Sequence, residues 1–250
     1  MQERTNALVL VCLAPERAGE AEALAVRLGL PRAETAPEDA PALVLDAGGL
    51  SLRRGTLSIR GDFAQLLPRL REQNLRGELL VRAARRRGVT RAQTAVDATA
   101  GLGEDALLLA AAGFRVRLFE QNPVIAALLR DAFSRAADDP ALADVVGRMT
   151  LTEGDSIPAL RALETPPDVV LLDPMFPARK KSGLIGKKLQ LLQLLEQPCA
   201  DEAALLQAAI DASPARIIIK RPAKGPHLAG RKPSYTLAGK AIRYDVLAFR

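Results

Sequence analysis

The chain is poor in the residues on which several kinds of site depend. Its 250 residues include two cysteines, one histidine and no tryptophan, and only 3% are aromatic. Cys12 and Cys199 lie far apart without CxxC spacing, and His227 has no metal-ligand partner nearby in the sequence. Zinc sites, disulfide frameworks and histidine-based triads are therefore poorly supported, and few aromatic residues disfavour an extended base-stacking platform. Catalysis has to depend on carboxylates, backbone groups, Lys or Arg, or a cofactor.

Long apolar runs are also missing. The longest ones, at 7–14 and 106–112, are far shorter than the roughly 18 residues that cross a bilayer. The first residues, Met1 to Arg4, do not have the layout of a signal peptide. With 48% hydrophobic and 26% charged residues, the composition is that of a globular protein, which we expect to be cytoplasmic and without a membrane segment or metal.

Positive charge is concentrated in two parts of the chain. The formal net charge is +6, but residues 53–91 carry 11 basic and 3 acidic side chains, and residues 176–250 carry 14 and 5. Between them, residues 92–175 carry 6 basic and 13 acidic side chains. The basic clusters are Arg82, Arg85, Arg86 and Arg87, and then Arg179, Lys180, Lys181, Lys187 and Lys188. Together they could form a surface for nucleic-acid phosphates, although ordinary solvated faces would give the same pattern.

From residue 94 onward, short apolar segments alternate with helical periodicity, which predicts a parallel, doubly wound α/β sheet. The expected strands are 95–98, 115–119, 149–152, 169–172 and 216–220. Helices fit 104–112, 124–137, 157–163 and two segments within 189–212, and 235–237 and 242–249 are expected to pair antiparallel at one edge.

Residues 1–75 are expected to form a smaller α/β region, and residues 76–250 the main domain. The smaller region should contain strands at 8–13 and 42–46, a helix at 16–28, and a hairpin of 50–53 and 56–59 around Arg54-Gly55. A further helix is predicted over 77–87, with Gly88 as its C-terminal cap.

A glycine-containing loop follows the first strand of the main sheet. In the run from Asp97 to Gly103, Gly101 and Gly103 stand between strand and helix, where a bare backbone can approach a ligand closely. Gly101, Gly103 and Ala106 formally satisfy the dinucleotide fingerprint, so NAD is one candidate. Asp97, however, precedes the first glycine by four residues. Its carboxylate would repel a pyrophosphate but would attract an ammonium group. S-adenosylmethionine, with an amino-acid end, a sulfonium and a ribose, fits better.

Two further acids belong to this cofactor prediction. Glu120 ends the next strand, 19 residues beyond Gly101, where a carboxylate can accept hydrogen bonds from both ribose hydroxyls. Asp155, after the third strand, could accept from the adenine amine, although Gly154-Asp155-Ser156 is also a common turn and helix cap. The candidate cofactor-binding residues are Asp97, Thr99, Gly101, Gly103, Asp105, Glu120, Gln121, Asp155, Ser156 and Asp173.

A proline-rich loop with an acid and an aromatic residue follows the fourth strand, in Asp173-Pro174-Met175-Phe176-Pro177. The exocyclic amine of a nucleobase is a poor nucleophile because its lone pair is delocalised into the ring. Hydrogen bonds to the Asp173 carboxylate and the Pro174 carbonyl would favour a nitrogen whose lone pair points at the methyl group, and Phe176 could stack on the base. Asp173, Pro174 and Phe176 are therefore the candidate catalytic residues, the alternative being a capped turn and a core phenylalanine.

Basic residues lie on both sides of this candidate site in the sequence. Those expected to contact RNA phosphates are Arg179, Lys180, Lys181, Lys187, Lys188, Lys220 and Arg221.

The combination of motifs resembles one known family. The segments VDATAGLGEDALLLAAAGFRVRLFEQNPVIAALL, LLDPMFPARKKSGLIGKK, IIIKRP and IRYDVL are similar to the bacterial RsmJ family, whose members methylate the guanine N2 of guanosine 1516 in 16S ribosomal RNA. The similarity extends from about Arg76 to the C-terminus. Relative to the wider [D/N]PP[F/Y] pattern of amino-methyltransferases, Met175 replaces the second proline, which agrees with RsmJ.

The resemblance implies a Rossmann-like, seven-stranded methyltransferase fold, S-adenosylmethionine as the donor, and 16S ribosomal RNA or the small subunit as the substrate. By position, Asp97, Gly101 and Gly103 would hold the methionine end of the donor. Two alternatives stay open: methylation of another planar amine, such as DNA adenine or a protein glutamine, and a non-catalytic protein that binds RNA or NAD.

Overall fold

A seven-stranded sheet forms the centre of the computed structural model, which describes residues 8–86, 88–174, 191–192, 194–195 and 201–249. Its strands are β6 (Thr94–Asp97), β7 (Arg115–Glu120), β8 (Met149–Glu153), β9 (Val169–Leu172), β10 (Arg216–Pro222), β11 (Tyr235–Ala238) and β12 (Ile242–Ala248). They lie in the order β11-β12-β10-β9-β6-β7-β8. The strands β6 to β10 run parallel to one another, whereas β12 pairs antiparallel with both β10 and β11.

The helices of this sheet are α5 (Glu104–Ala111), α6 (Pro123–Ala137), α7 (Ala143–Val146), α8 (Ser156–Arg161) and α9 (Glu202–Asp211). All four residues of β9 are buried, because helices cover both faces of the central strands. Val169 and Leu171 pack with α5 and α6 on one face, and Val170 and Leu172 with α8 and α9 on the other. The predicted alternation of strands and helices is thereby confirmed, and one of the two helical segments expected within 189–212 is α9.

Polar caps start the helices at the carboxyl edge of the sheet. The side chain of Asn122 accepts hydrogen bonds from the backbone N–H groups of Val124 and Ile125, and Pro123 occupies the first position of α6. Asp155 caps α8 and Asp201 caps α9 in the same way. The strands therefore end, and the helices begin, along one rim. No helix in the described ranges is long and apolar enough to cross a membrane.

The N-terminal residues form a second sheet. Its strands are β1 (Val9–Cys12), β2 (Arg32–Ala33), β3 (Ala42–Asp46), β4 (Gly49–Arg54) and β5 (Leu57–Ile59), in the order β2-β1-β3-β4-β5, with α1 (Ala18–Leu28) after β1. The hairpin predicted at Arg54-Gly55 is observed as the antiparallel pair of β4 and β5.

The smaller sheet packs on α6. Leu10, Leu43 and Leu50 share a hydrophobic core with Val124 and Leu128, which lie on that helix. The Arg135 guanidinium of α6 also donates a hydrogen bond to the Gly61 carbonyl. The N-terminal sheet is thus fixed against the helix that follows β7.

Three short helices connect the two sheets: α2 (Leu67–Leu70), α3 (Glu72–Leu75) and α4 (Leu79–Ala84). The predicted helix over 77–87 is wrong in length, because α4 ends at Ala84 and Arg85 has an extended backbone. Arg216 accounts for this early end, since its guanidinium donates to the carbonyls of Ala83 and Arg85 at 2.6 and 2.9 Å. Gly88 has a φ of +77° but lies beyond the helix and does not cap it.

Candidate active site

A cavity of about 1340 Å³ opens at the carboxyl edge of the seven-stranded sheet. All ten sequence-predicted cofactor residues line it, together with Pro174 of the predicted acceptor loop. They are Asp97, Thr99, Gly101, Gly103, Asp105, Glu120, Gln121, Asp155, Ser156, Asp173 and Pro174. The fold therefore brings the ends of β6, β7, β8 and β9 to one space, as the edge of a parallel sheet does.

The glycine loop depends on left-handed backbone at both of its glycines. Gly101 has a φ of +53° and Gly103 a φ of +75°, conformations that side-chain-bearing residues rarely adopt. A Cβ at Gly103 would lie 2.8 Å from the Cδ1 of Leu129, so close packing also requires glycine there. A Cβ at Gly101 would meet no atom within 4 Å, so the loop is open to a ligand at that position.

Glu120 joins this loop to the end of β7. Its carboxylate accepts hydrogen bonds from the backbone N–H groups of Gly101 at 2.9 Å and Asn122 at 2.8 Å. The residue is only 5% exposed, and burial raises the pKa of its carboxyl group despite these two bonds. Each oxygen retains a further acceptor position, so a ligand in the cavity can still donate to Glu120.

Asp97 is a buried acid of the site with a strongly raised pKa. It ends β6, is 2% exposed and accepts a hydrogen bond from the Thr99 N–H at 3.1 Å. Burial, with the nearby negative charge of Asp105, raises its pKa to about 8. A buried carboxyl group of this kind favours a cationic ligand, because a positive charge would restore its ionised form.

Asp173 is held by Lys220 and by Thr99. The Lys220 ammonium lies 2.8 Å from Asp173 Oδ2 and 2.7 Å from Asp105 Oδ2, so one cation bridges two carboxylates. The Asp173 backbone N–H donates to the Thr99 hydroxyl oxygen at 2.6 Å. Burial raises the pKa of Asp173, and the positive charge of Lys220 opposes that rise. Burial lowers the pKa of Lys220, but the two carboxylates outweigh this effect and raise it.

Two of the predicted RNA-contact residues face the protein instead of a surface. Lys220 is occupied by Asp105 and Asp173, and Arg221 is 1% exposed, with its guanidinium donating to Glu202 and to the Pro226 carbonyl. These contacts argue against the expected binding of RNA phosphate, because neither charge is available at the surface. The other candidates, Phe176, Arg179, Lys180, Lys181, Lys187 and Lys188, lie outside the described residues and stay predictions.

Asp155 and Ser156 border the cavity where β8 ends. The Asp155 carboxylate accepts from the Ile157 N–H at 2.9 Å as the cap of α8. The helix-cap interpretation is thus confirmed, whereas the contact with adenine stays a prediction for a residue that borders the cavity.

One residue of the first basic cluster, Arg86, lies away from the cavity, and Arg87 lies outside the described residues. Asp168 precedes β9, at the strand end opposite Asp173, and it pairs with Arg86 at 3.3 Å and Arg91 at 2.6 Å. Arg86 is thus at the amino edge of the sheet, away from the cavity.

Basic residues that the sequence analysis did not single out do line the cavity. Arg53 in β4 and Arg60 after β5 border it, together with Asp46 at the end of β3. No local motif marks these residues, because they reach the cavity only through the packing of the small sheet on α6. Among the described residues, no group of three or more His, Cys, Asp or Glu side chains could hold a metal ion.

Comparison with known proteins agrees with this geometry. A family model described as SAM-dependent methyltransferase matches residues 23–248. The chain is 42% identical to ribosomal RNA small subunit methyltransferase J of Thioalkalivibrio sulfidiphilus, over 90% of this chain and 91% of the relative. It is 40% identical to the protein of the same name from Stutzerimonas stutzeri, over 97% and 96%.

A solved structure shows the same fold. The crystal structure of a SAM-dependent methyltransferase from Neisseria gonorrhoeae superposes with a TM-score of 0.75 at 32% identity, covering 97% of this chain and 96% of that one. S-adenosylmethionine is therefore the cofactor, in place of NAD, and its contact with the glycine loop stays a prediction. The chain belongs to the ribosomal RNA small subunit methyltransferase J family of SAM-dependent methyltransferases.

Proposed function

We propose that this protein transfers the methyl group of S-adenosylmethionine to the exocyclic N2 amine of a guanosine in small-subunit ribosomal RNA, at the position that the resemblance implies, guanosine 1516. One observation carries the proposal: Asp173, at the end of β9, opens on the same cavity as Asp97 and Glu120. The names of the relatives support ribosomal RNA as the substrate. An enzyme that modifies ribosomal RNA acts where ribosomes are assembled, so we also propose a cytoplasmic location.

The acids along the rim fit the donor. When bound, S-adenosylmethionine supplies an electrophilic methyl group on a sulfonium. Asp97, buried and short of cationic partners, suits the ammonium end of such a molecule, and Glu120 has acceptor positions left for two hydroxyls. The open backbone at Gly101 leaves room for close approach between these two acids. We assign the adenine to Asp155 and Ser156, which border the same cavity at the end of β8.

Asp173 and Pro174 are the groups that act on the acceptor. The Asp173 carboxylate and the Pro174 carbonyl can accept the two N–H bonds of an exocyclic amine, which turns the nitrogen lone pair away from the ring and towards the donor side of the cavity. The methylated nitrogen is acidic, and Asp173 or water can take its proton. A stacking role for Phe176 is part of the same proposal.

Lys220 serves this chemistry by its charge and position. Its ammonium binds one oxygen of Asp173 and fixes the carboxylate beside Thr99, which leaves the second oxygen for the amine. A positive charge at this distance also favours the ionised form of Asp173, which is the form that accepts hydrogen bonds. We therefore assign Lys220 as a positioning residue in place of the RNA contact expected from the sequence.

Methyl transfer with a labelled donor tests the proposal. The purified protein would be incubated with small-subunit ribosomal RNA and with small subunits, each taken from cells that lack the enzyme and from cells that contain it. We expect label only in the unmodified RNA, with N2-methylguanosine as the labelled nucleoside by mass spectrometry, and none with Asp173→Asn.

DNA and protein fractions provide the contrasting substrates. Label in DNA adenine or in protein glutamine, with none in the RNA, would refute the substrate and leave the amino-methyltransferase chemistry. Binding of the donor without transfer to any of these fractions would refute catalysis by this site.

A further inference from the structure

The cavity extends beyond the methyltransferase sheet to the N-terminal sheet. Arg53, Ser58, Arg60 and Gln65 line it on that side, and Asp173 lines the same cavity from the large sheet. Its volume of about 1340 Å³ exceeds the roughly 300–1,000 Å³ of an ordinary small-molecule pocket. The cavity therefore has room for more than the cofactor, and the N-terminal sheet forms a wall of the additional space.

Charge divides the two sides of this cavity. On the side of the large sheet, one ammonium, that of Lys220, stands among carboxylates and is already paired with two of them. The described carboxylates on that side are those of Asp97, Glu104, Asp105, Glu120, Asp155, Asp173 and Asp201. A phosphate would be repelled there, because like charges in a partly enclosed space are weakly screened.

The N-terminal wall differs because it carries two guanidinium groups. Arg53 and Arg60 share the carboxylate of Asp46: the Arg60 guanidinium lies 2.6 Å from one of its oxygens, and the Arg53 guanidinium pairs with the other. Asp62, the second carboxylate on this wall, accepts hydrogen bonds from the Ala64 N–H and the Gln65 amide, so the wall is close to neutral while the side of the large sheet is strongly acidic. Among the described residues that line the cavity, Arg53 and Arg60 carry the only guanidinium groups.

Both guanidinium groups are fixed by hydrogen bonds to the protein and keep N–H groups that can donate to a ligand. Arg53 also donates to the Ser51 hydroxyl at 2.9 Å, and Arg60 to the Gly49 carbonyl at 3.2 Å. Within the described residues, the Nη1 nitrogen of each guanidinium makes no hydrogen bond, whereas the unpartnered Arg60 Nε is buried and out of reach of a ligand. A fixed guanidinium with free N–H groups suits a phosphate, which accepts several such bonds.

We propose that Arg53 and Arg60 form a phosphate clamp, by which the N-terminal sheet holds the RNA backbone next to the nucleotide whose base enters the cavity. The clamp rests on the proposed function, since it takes RNA as the substrate. It gives the N-terminal sheet a task that no motif of the sequence indicates: to bring a polyanion to an acidic active site along the wall that, among the described residues, carries the guanidinium groups.

Charge-removing variants with a matched control test the clamp. Arg53→Gln and Arg60→Gln would be compared with Arg54→Gln, which removes the same charge from an exposed neighbour whose guanidinium donates to the Asp39 carbonyl. Affinity for in-vitro transcribed small-subunit ribosomal RNA would be measured from low to high salt, and affinity for S-adenosylhomocysteine by calorimetry. We expect each clamp variant to weaken RNA binding about tenfold and to lower the salt slope by about one, with cofactor affinity retained and Arg54→Gln close to wild type.

The wild-type protein supplies a test that does not depend on the folding of variants. An arginine-selective dicarbonyl reagent modifies accessible guanidinium groups, and peptide mass spectrometry locates the product. RNA should protect Arg53 and Arg60 but not Arg54, whereas S-adenosylhomocysteine or a free guanosine monophosphate should protect much less.

The outcomes separate the clamp from the proposed function. If the wild type methylates ribosomal RNA, but the clamp variants bind RNA with the same affinity and salt slope as Arg54→Gln, or RNA fails to protect Arg53 and Arg60, the clamp is refuted. If guanosine monophosphate protects as well as RNA, the site binds a free nucleotide and the backbone assignment is wrong. If the wild type transfers no methyl group to RNA, the proposed function itself fails.

Discussion

Replacing Lys220 with methionine should move the pH dependence of methyl transfer. The substitution removes the one ammonium that bridges Asp105 and Asp173, at 2.7 and 2.8 Å, and keeps most of the side-chain volume. Asp173 then has to ionise beside another carboxylate without its partner. Because its carboxylate must be ionised to accept the amine, turnover at neutral pH should fall.

The size of the expected change in the pKa of Asp173 follows from the interaction between the charges. Two unit charges about 4 Å apart interact by about 4 kcal/mol at an effective dielectric constant of about 20. Lys220 divides its charge between two carboxylates, and Asp173 is partly open to solvent, so about half of this energy is a fair expectation for Asp173. About 2 kcal/mol corresponds to a rise of about 1.5 in the pKa of Asp173.

The assay is a pH profile of kcat with saturating RNA. We expect the acidic limb of the Lys220→Met profile to lie about 1.5 units higher than in the wild type, with activity recovering as the pH rises. Lys220→Arg should keep most of the activity, and Lys224→Met, an exposed lysine on the same stretch, should leave the profile unchanged. A loss of the same factor at every pH would refute the reasoning. A weaker affinity for RNA with a lower salt slope, at unchanged kcat, would show that Lys220 contacts RNA, as the sequence predicted.

The remaining predictions concern individual acids. With its pKa raised to about 8, Asp97 is protonated in about nine of ten free molecules at pH 7, so binding of the ammonium group of S-adenosylhomocysteine should release close to one proton and strengthen from pH 6 to 8. Calorimetry in buffers of different ionisation enthalpy measures this, and Asp97→Asn should abolish it; equal proton release by both proteins would contradict the assignment. Asp173→Ala should lower kcat and retain cofactor affinity, whereas Glu120→Ala should mainly weaken cofactor binding, and equal losses of affinity would contradict this division. Burial alone would raise the pKa of Asp168, but hydrogen bonds from Arg91 outweigh it and hold the pKa below its usual range, so the carboxylate stabilises the fold above about pH 4 and less as the pH falls. Asp168→Ala should therefore cost about 2–4 kcal/mol in denaturant unfolding at pH 7, with a smaller difference from the wild type near pH 3.

Strand ends were predicted well because they depend on local sequence. The apolar run of β9 is buried on both faces wherever it lies in a parallel sheet, and the acid that follows it must emerge at the carboxyl edge. The same holds for Asp97 after β6 and for Glu120 at the end of β7. Alternation of elements and the position of each acid after its strand were sufficient to place these three residues around one space.

Helix length was less predictable because it depends on distant residues. Nothing between residues 77 and 87 ends a helix at Ala84. The guanidinium of Arg216, which donates hydrogen bonds to the carbonyls of Ala83 and Arg85, lies more than a hundred residues away in the sequence.

The prediction of RNA contacts from basic charge was misleading for a similar reason. Lys220 and Arg221 add to a basic total in the sequence, but a buried charge needs a partner, and only the fold supplies Asp105, Asp173 and Glu202.

By itself, the sequence determined the fold class, the cofactor and the position of Asp97, Glu120 and Asp173 at one edge of the sheet, since each of these depends on residues close together in the chain or on strands whose order follows from their alternation. Only the tertiary structure decided which positive charges are neutralised inside the protein and which face the cavity. Arg53 and Arg60 lie in a hairpin with no recognisable motif and reach the active site because the N-terminal sheet packs on α6. Electrostatic pairing acts over a few ångströms in space, whatever the separation along the chain, and so it is fixed only when the chain has folded.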